Sequence, residues 1–288
     1  SYIESAYRCA DGGSQITKML IRKLKEHGGD AFKHQEVVDF EVVDKKVVSV
    51  TTVNGDVVKG DIFISNIEPK TTIKLVGEEH FRKSYGKRIA DIDSTISAFS
   101  IHIVLKPNSF KYLNKNYYHF KDYDAVWNGH RYTEENWPRT YMVSMGVRKN
   151  QDEWGDQLTA ISYMHYDEVA QWEETFNTVA HKNDRGETYA EFKAAKTDIF
   201  LNELEKKFPN IRECIQSIHT STPLSYRDYI GCNRGSMYGY VKDVSNPLKS
   251  FISPRTRIPN LLFTGQSLNM HGILGVTISG VLTCSELL

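Results

Sequence analysis

Three glycines near the end of the sequence have the spacing of an anion-binding loop. The apolar run 261–264 predicts a buried strand that ends at Gly265. Gly272 and Gly275 follow in a loop, and residues 276–287 predict a slim helix. A strand, a glycine loop and a helix present free backbone N–H groups and the positive end of a helix dipole to an anion. An ordinary strand-to-helix turn has the same pattern, so spacing alone leaves both interpretations open.

A second segment contains residues that could take part in a reaction. It reads Arg-Gly-Ser-Met-Tyr-Gly at residues 234–239. Arg234 could stabilise a negatively charged cofactor or pair with a phosphate, because its guanidinium is a planar, permanently charged donor. Tyr238 could donate a proton to a substrate carbon. A structural ion pair for Arg234 and a place in the pocket wall for Tyr238 stay open as alternatives.

Several other chemistries are not indicated. The histidines have no partners at metal-ligand spacing, so we predict no metal site. The four scattered cysteines, without a C-x-x-C pair, predict reduced thiols in a cytoplasmic protein. The 36 basic residues balance 36 acidic ones, which gives no indication of a nucleic-acid partner. No stretch approaches a transmembrane span, while peripheral membrane contact stays open because apolar substrates come from membranes. The sequence does not indicate an oligomeric state.

The first part of the chain predicts a helix followed by a β-meander. Ser14 is a plausible N-cap for a helix whose apolar stripe recurs at helical spacing (Ile16, Met19, Leu20 and Leu24). Runs 37–43 and 47–53 predict two strands, and Asn54-Gly55 predicts a type I′ hairpin turn after them. Residues 61–66 predict a short buried strand.

The middle of the chain predicts a sheet and one long helix. Runs 94–106, 139–147 and 158–166 read as strands, which we assign to one mixed sheet. Residues 187–208 are the clearest helix, because seven apolar residues recur there at helical spacing: Tyr189, Phe192, Ala195, Ile199, Leu201, Leu204 and Phe208. Its apolar face is expected to cover a core or a substrate tunnel.

Residues 260–266, Asn-Leu-Leu-Phe-Thr-Gly-Gln, resemble the C-terminal flavin-binding segment of the phytoene desaturase-like FAD oxidoreductases. The Thr-Gly-Gln form, the later Leu-Gly pair and the 234–239 segment look most like the retinol saturase branch of that family. The resemblance implies that FAD is the cofactor, and NAD(P)H stays open as a second one. It also implies a flavin-contacting set of residues: Val37, Gly265, Gln266, Gly272, Leu274, Gly275 and Val276. Arg234 and Tyr238 are the catalytic candidates.

The resemblance implies an α/β fold, or α+β within this chain alone. The expected architecture is an incomplete glutathione-reductase-type FAD domain with an inserted mixed-sheet substrate domain. Residues 1–66 and 250–288 would form the FAD part, and 67–249 the substrate domain. The chain lacks the G-x-G-x-x-G fingerprint with which this family begins, so we expect a C-terminal fragment of a longer enzyme, inactive by itself.

The leading functional hypothesis is a flavin-dependent oxidoreductase that acts on carbon–carbon bonds of a small apolar substrate, similar to a carotenoid or retinoid. Fold does not fix chemistry, so two alternatives stay open. One is a flavin amine oxidase, with Tyr226, Tyr229 and Tyr238 as an aromatic cage. The other is a non-enzymatic lipid- or prenyl-binding protein of the same fold.

Overall fold

The computed structural model describes residues 6–288 and contains both helices and strands. In chain order, the strands are β1 Val37–Val43, β2 Lys46–Thr52, β3 Val57–Lys59, β4 Phe63–Ser65, β5 Ser97–Leu105, β6 Tyr117–Phe120, β7 Thr140–Met145, β8 Gln157–Met164, β9 Ile215–Ser221 and β10 Leu261–Phe263. The α-helices are α1 Ser14–Glu26, α2 Pro69–Val76, α3 Lys83–Ala90, α4 Ala125–Asn128, α5 Glu187–Lys207, α6 Ile211–Cys214, α7 Pro223–Ile230, α8 Pro247–Ser250 and α9 Gly272–Ser285.

The chain forms two compact units, and each is built from two separate stretches of sequence. One comprises residues 6–31 and Ser97–Ser225, and the other comprises Phe32–Ile96 and Tyr226–Leu288. The predicted domains had other boundaries, at residues 66 and 249. In the structure, residues 32–96 and 226–288 share one core, in which Ile73, Ile89 and Tyr240 are buried with Phe263. We call these two bodies the sheet unit and the loop–helix unit. The assignment of flavin and substrate roles to them stays a prediction.

The sheet unit is organised around five strands in the order β6-β7-β8-β5-β9. Every pairing in this sheet is antiparallel. The prediction of a mixed sheet is therefore wrong, although the strands at 94–106, 139–147 and 158–166 are confirmed. Periodicity identifies a strand and its buried face but does not specify the direction of its neighbour.

Helix α5 covers this sheet with a face centred on Phe200. The Phe200 ring is fully buried and lies edge-on to Trp137 and Tyr141, at 5.7 Å and 5.5 Å between ring centroids. Ile199, which the sequence pattern placed on the buried stripe, is 39% exposed instead. Lys196 is buried on the same helix because its ammonium pairs with Glu168 at 2.5 Å.

The β-meander of the loop–helix unit is confirmed, but its turns differ from the prediction. Asp44 and Lys45 both have positive φ, 48° and 64°, as a type I′ turn requires. At the predicted type I′ turn, Gly55 has positive φ whereas Asn54 does not. Gly55 N donates to Thr52 O at 2.9 Å, and Thr52 N donates to Asp56 O at 2.9 Å. This is the three-residue hairpin loop in which glycine takes the left-handed position.

Helix α1 forms as predicted, but none of its residues is buried. Met19 and Leu20 are 58% and 65% exposed, so the predicted apolar stripe faces outward in this chain. Ser14 is the first residue of the helix, and Gly13 occupies the N-cap position without a side-chain cap. Helix α2 begins with Pro69 at its first turn, as the sequence predicted.

Truncation of Phe200 tests the packing of α5 on the sheet. We expect Phe200→Ala to lower the free energy of unfolding by about 3–5 kcal/mol, because a buried aromatic ring leaves a cavity in a core that relaxes only in part. Phe120→Ala, on edge strand β6, is the matched control because Phe120 is 41% exposed. It should cost less than about 1 kcal/mol. Urea unfolding curves measure both, and equal costs would contradict the assigned packing.

Candidate functional site

Gly265 follows strand β10 and lies against Asn66, the residue that follows strand β4. Strand β10 is fully buried and pairs in parallel with β4, with Phe263 opposite Ser65. Gly265 follows with φ of +106°, a conformation that side-chain-bearing residues rarely adopt. A Cβ atom at this position would lie 2.3 Å from Asn66 Oδ1. Glycine is therefore needed here both for its backbone conformation and for the space beside Asn66.

Helix α9 fixes the Gly265 peptide through a buried serine. Ser279 Oγ accepts a hydrogen bond from Gly265 N at 3.1 Å and donates one to Gly265 O at 3.0 Å. One turn later, Thr283 Oγ1 lies 3.0 Å from Phe263 O. Both side chains are buried. Two small polar residues of this helix thus satisfy the backbone of the strand end.

The N-terminus of α9 is open to an anionic group. The helix begins at Gly272, four residues earlier than predicted, and its first turn contains no acidic residue. His271 occupies the N-cap position without a side-chain cap, so the first backbone N–H groups have no partner from that side chain. Gly275 packs against the preceding loop, where a Cβ atom would lie 2.3 Å from Met270 O.

A cleft of about 290 Å³ lies beside this turn, within the loop–helix unit. Gln266 and Val276 line it from the glycine loop and α9, and Thr264 lines it at the end of β10. The other wall includes Glu68 and Met237. The lining combines apolar contact surface with a few polar groups, which is typical of a small-molecule site. We call it the Gln266 cleft.

Glu68 is the principal ionisable group of the Gln266 cleft. Burial raises the pKa of its carboxyl, and this effect exceeds the opposing hydrogen bonds from Asn233 N and Tyr240 and the charge of Lys70. The hydrogen bond from Asn233 N to Glu68 Oε2 is 2.8 Å long. Burial, together with the Glu68 charge, also raises the pKa of the neighbouring Cys232 thiol to about 11. This side of the cleft therefore favours protonated groups.

The predicted cofactor-binding residues are only partly brought together. Gln266 and Val276 line the cleft. Gly265, Gly272, Leu274 and Gly275 belong to the same turn and helix start, but they are not among its lining residues. Val37 lines a separate cavity of about 650 Å³, which shares Asn66, Ile67 and Gly231 with the Gln266 cleft. A contact between Val37 and a cofactor stays a prediction.

The two predicted catalytic residues lie beside the cleft and do not line it. Arg234 is exposed and has a left-handed backbone, with φ of 52°. The Tyr238 ring packs on the His271 ring at 4.4 Å between centroids, so it lies next to the N-terminus of α9. Tyr238 N donates to Thr95 Oγ1 at 3.0 Å. Their catalytic roles stay predictions.

Sequence reasoning missed Asn66, Glu68 and Ser279. Glu68 acquires its surroundings from Asn233 and Tyr240, more than 160 positions away in the chain, so no local spacing reveals it. A signal for Asn66 was available, because it is the first polar residue after a buried strand. Ser279 lies within the predicted helix, but its partner Gly265 precedes that helix, so helical spacing does not reveal their contact.

Residues 6–288 contain neither a candidate metal site nor a candidate membrane-spanning helix. No group of three or more histidine, cysteine, aspartate or glutamate side chains in this range is arranged to hold a metal ion. None of the helices formed by the same residues is both long and apolar enough to cross a bilayer.

No protein-family model matches the chain. Curated relatives do: the chain is 24% identical over 307 residues to the all-trans-retinol 13,14-reductase of Rattus norvegicus, which covers 99% of this chain and 49% of that protein. It is 28% identical over 134 residues to the Danio rerio protein of the same name, which covers 46% of this chain and 21% of that one. The chain thus spans about half the length of the rat relative, and its match to the zebrafish relative covers a smaller share of that protein.

Solved structures show the same fold. An oxidoreductase from Methanosarcina mazei has a TM-score of 0.56 at 13% identity, covering 96% of this chain and 55% of that one. A redesigned putrescine oxidase has a TM-score of 0.57 at 12% identity, covering 96% and 52%. The chain is thus similar in sequence to all-trans-retinol 13,14-reductases and shares the fold of these oxidoreductases. The predicted resemblance to the retinol saturase branch and the predicted α/β FAD-type fold class are both confirmed. At these identities the structural likeness bears on the fold alone.

The residues of the turn fit the flavin that the resemblance implies. The first turn of α9 has no side-chain cap and no acidic residue, which suits an anionic group of the cofactor. Gln266 adds a side-chain amide with both donors and an acceptor at the cleft. Gln266 and the first turn of α9 are therefore the groups that would hold a flavin here.

Removal of the Ser279 hydroxyl tests the connection between α9 and the Gly265 turn. We expect Ser279→Ala to lower the free energy of unfolding by about 1–3 kcal/mol, because it leaves a buried N–H and a buried C=O without this partner. Ser285→Ala is the matched control, since Ser285 is exposed on the same helix. It should change stability by less than about 0.5 kcal/mol. Chemical unfolding monitored by circular dichroism measures both.

Substitution of Glu68 tests its raised pKa. Because the folded-state pKa lies above the unfolded value of 4.5, ionisation of Glu68 costs the folded chain stability as the pH rises from 4.5 through the folded pKa. Glu68→Gln removes this ionisation and keeps an acceptor for Asn233 N. The variant should therefore gain stability relative to wild type across that interval. Urea midpoints at a series of pH values measure the difference, and a constant difference would contradict the shift.

Proposed function

We propose that this chain supplies one part of a flavin-dependent oxidoreductase that acts on carbon–carbon bonds of a small apolar substrate. The observation that carries the proposal is the β10–Gly265–α9 turn, which places Gln266 and the uncapped N-terminal part of α9 at the Gln266 cleft. The substrate class is supported by the curated relatives, which are all-trans-retinol 13,14-reductases. NAD(P)H remains a proposed second cofactor.

Different residues of the chain would contribute to different parts of such a reaction. When bound, the flavin would supply a two-electron redox centre. The first N–H groups of α9 would stabilise negative charge near the cleft, as helix N-termini do. Met237 and Val276 give the cleft apolar walls, which suit a hydrocarbon substrate and exclude water.

Saturation of a carbon–carbon double bond also needs a proton, and Glu68 is placed to hold it. Its carboxyl lines the cleft, and burial raises its pKa, so it stays protonated to higher pH than an ordinary carboxyl. An upward shift brings the pKa of a carboxyl closer to the range that suits a general acid. Tyr240, buried behind Glu68 and hydrogen-bonded to it, fixes the position of the carboxyl.

Flavin content tests the proposal in the full-length protein that contains this chain. We expect Gly265→Ala to lower the flavin-to-protein ratio at least about tenfold, because the left-handed backbone is strained for alanine and the added Cβ meets Asn66. Gly55→Ala is the matched control: Gly55 also has positive φ, but no atom lies within 4 Å of its Cβ position. The visible absorption spectrum of each purified protein measures the ratio.

Two results would contradict the proposal. Absence of flavin from the wild-type protein after incubation with FAD would favour the lipid-binding alternative. A flavin-loaded protein that oxidises primary amines and leaves retinoids and carotenoids unchanged would favour the amine oxidase alternative. Loss of flavin in both glycine variants would indicate a general effect on folding and remove the support from the Gly265 turn.

A further inference from the structure

A second cleft in the loop–helix unit has a strongly basic lining. It has a volume of about 540 Å³ and lies between the start of α3 and residues 255–257. None of the described residues that line it is acidic, and four of the seven are arginines: Arg82, Arg88, Arg255 and Arg257, with Ser84, Tyr85 and Thr256. In a chain whose basic and acidic residues balance at 36 each, this is a marked local concentration of positive charge. We call it the arginine cleft.

Two of its arginines are held in place by the protein. Arg88 Nη1 lies within hydrogen-bond distance of the carbonyl oxygens of Leu248, Lys249 and Phe251, at 3.3, 3.0 and 2.7 Å. Its guanidinium also lies over the Tyr85 ring, 5.3 Å from the centroid. Arg255 forms an ion pair with Glu286 at the end of α9. These contacts use part of the donor capacity of both groups and make the cleft walls rigid.

The other two arginines have no such partner. Among residues 6–288, neither Arg82 nor Arg257 forms an ion pair or a side-chain hydrogen bond, and both are exposed. Arg82 is also the N-cap residue of α3, which has no side-chain cap and no acidic residue in its first turn. The cleft therefore combines two unengaged guanidinium groups with a helix N-terminus, and both prefer an anion.

We propose that the arginine cleft binds a phosphate group carried by a small ligand. Guanidinium groups bind phosphate oxygens through paired N–H donors, and the Ser84 hydroxyl adds a further donor at the same wall. The volume accommodates a pyrophosphate or a phosphorylated headgroup. The cleft shares no lining residue with the Gln266 cleft, so the proposal is independent of flavin binding.

The phosphate could belong to a soluble ester or to a phospholipid headgroup. Next to the cleft, Leu248 and Phe251 are 78% and 53% exposed, and both supply carbonyl oxygens to Arg88. Exposed apolar residues beside a basic site are the arrangement that binds an anionic lipid surface. The two sources have the same phosphate chemistry, and the experiment separates them.

Titration calorimetry with inorganic pyrophosphate tests the site in this chain. We expect the double variant Arg82→Gln/Arg257→Gln to bind pyrophosphate at least about tenfold more weakly than wild type, because it loses two charge-assisted donors. Lys46→Gln/Lys59→Gln is the matched control: it removes the same charge from exposed strand positions of the same unit that do not line the cleft. The control should bind within about twofold of wild type.

Co-sedimentation with vesicles identifies the source of the phosphate. Vesicles of phosphatidylcholine with phosphatidylinositol 4-phosphate are compared with vesicles of phosphatidylcholine alone. Retention on the phosphorylated vesicles that the double variant loses would assign the site to a lipid headgroup. Pyrophosphate binding without vesicle retention would assign it to a soluble ester. If wild type binds neither probe, or if the double variant and the control bind alike, the proposal is overturned. Flavin content of the double variant should equal that of wild type.

Discussion

The loop–helix unit depends on the side-chain amide of Asn260, because this one group connects three segments that are distant in sequence. Its Oδ1 accepts a hydrogen bond from Val47 N at 3.0 Å, and its Nδ2 lies 2.7 Å from Val47 O. The same Nδ2 lies 2.9 Å from Asp61 O. The amide thus joins the β-meander, the approach to β4 and the start of β10. A hydrophobic core alone would allow these segments to slide, whereas directional hydrogen bonds fix their register.

The position of the Gln266 cleft follows from this connection. Asn260 sets the start of β10, the parallel pairing of β10 with β4 sets its end, and Ser279 then holds the Gly265 turn against α9. The first and the last of these steps are contacts between backbone and a short polar side chain, so little freedom remains in where the helix begins. Short side chains suit this task because they lose little rotamer entropy when they are ordered.

Much of the fold could be predicted from the sequence, because strands and helices with strong periodicity have few alternatives. The 187–208 helix, the hairpin meander and the final strand and helix are present near their predicted bounds. The predictions that were wrong concern places where the sequence is compatible with two local conformations of similar energy. Phe200, which the predicted stripe left out, is buried where Ile199 is exposed, since a neighbouring pair of apolar residues does not define which one faces the sheet. The turn at Asn54-Gly55 was assigned from a dipeptide that is compatible with two kinds of hairpin loop.

The candidate site was predictable where it depends on the backbone and hidden where it depends on distant side chains. The need for glycine at 265 could be inferred from the local pattern, because a left-handed turn after a strand requires it. The raised pKa of Glu68 could not be inferred, since it results from burial by residues that meet only in the folded chain.

The electrostatics of Glu68 also depend on how Lys70 is placed. The Lys70 ammonium donates to Ile92 O at 2.6 Å and lies 5.1 Å from the centroid of the Tyr240 ring. These contacts direct its charge away from a close ion pair with Glu68, so its charge is the smallest of the influences that lower the pKa of that carboxyl. Desolvation therefore prevails, and a carboxyl two residues from a lysine keeps its proton more strongly than one in water.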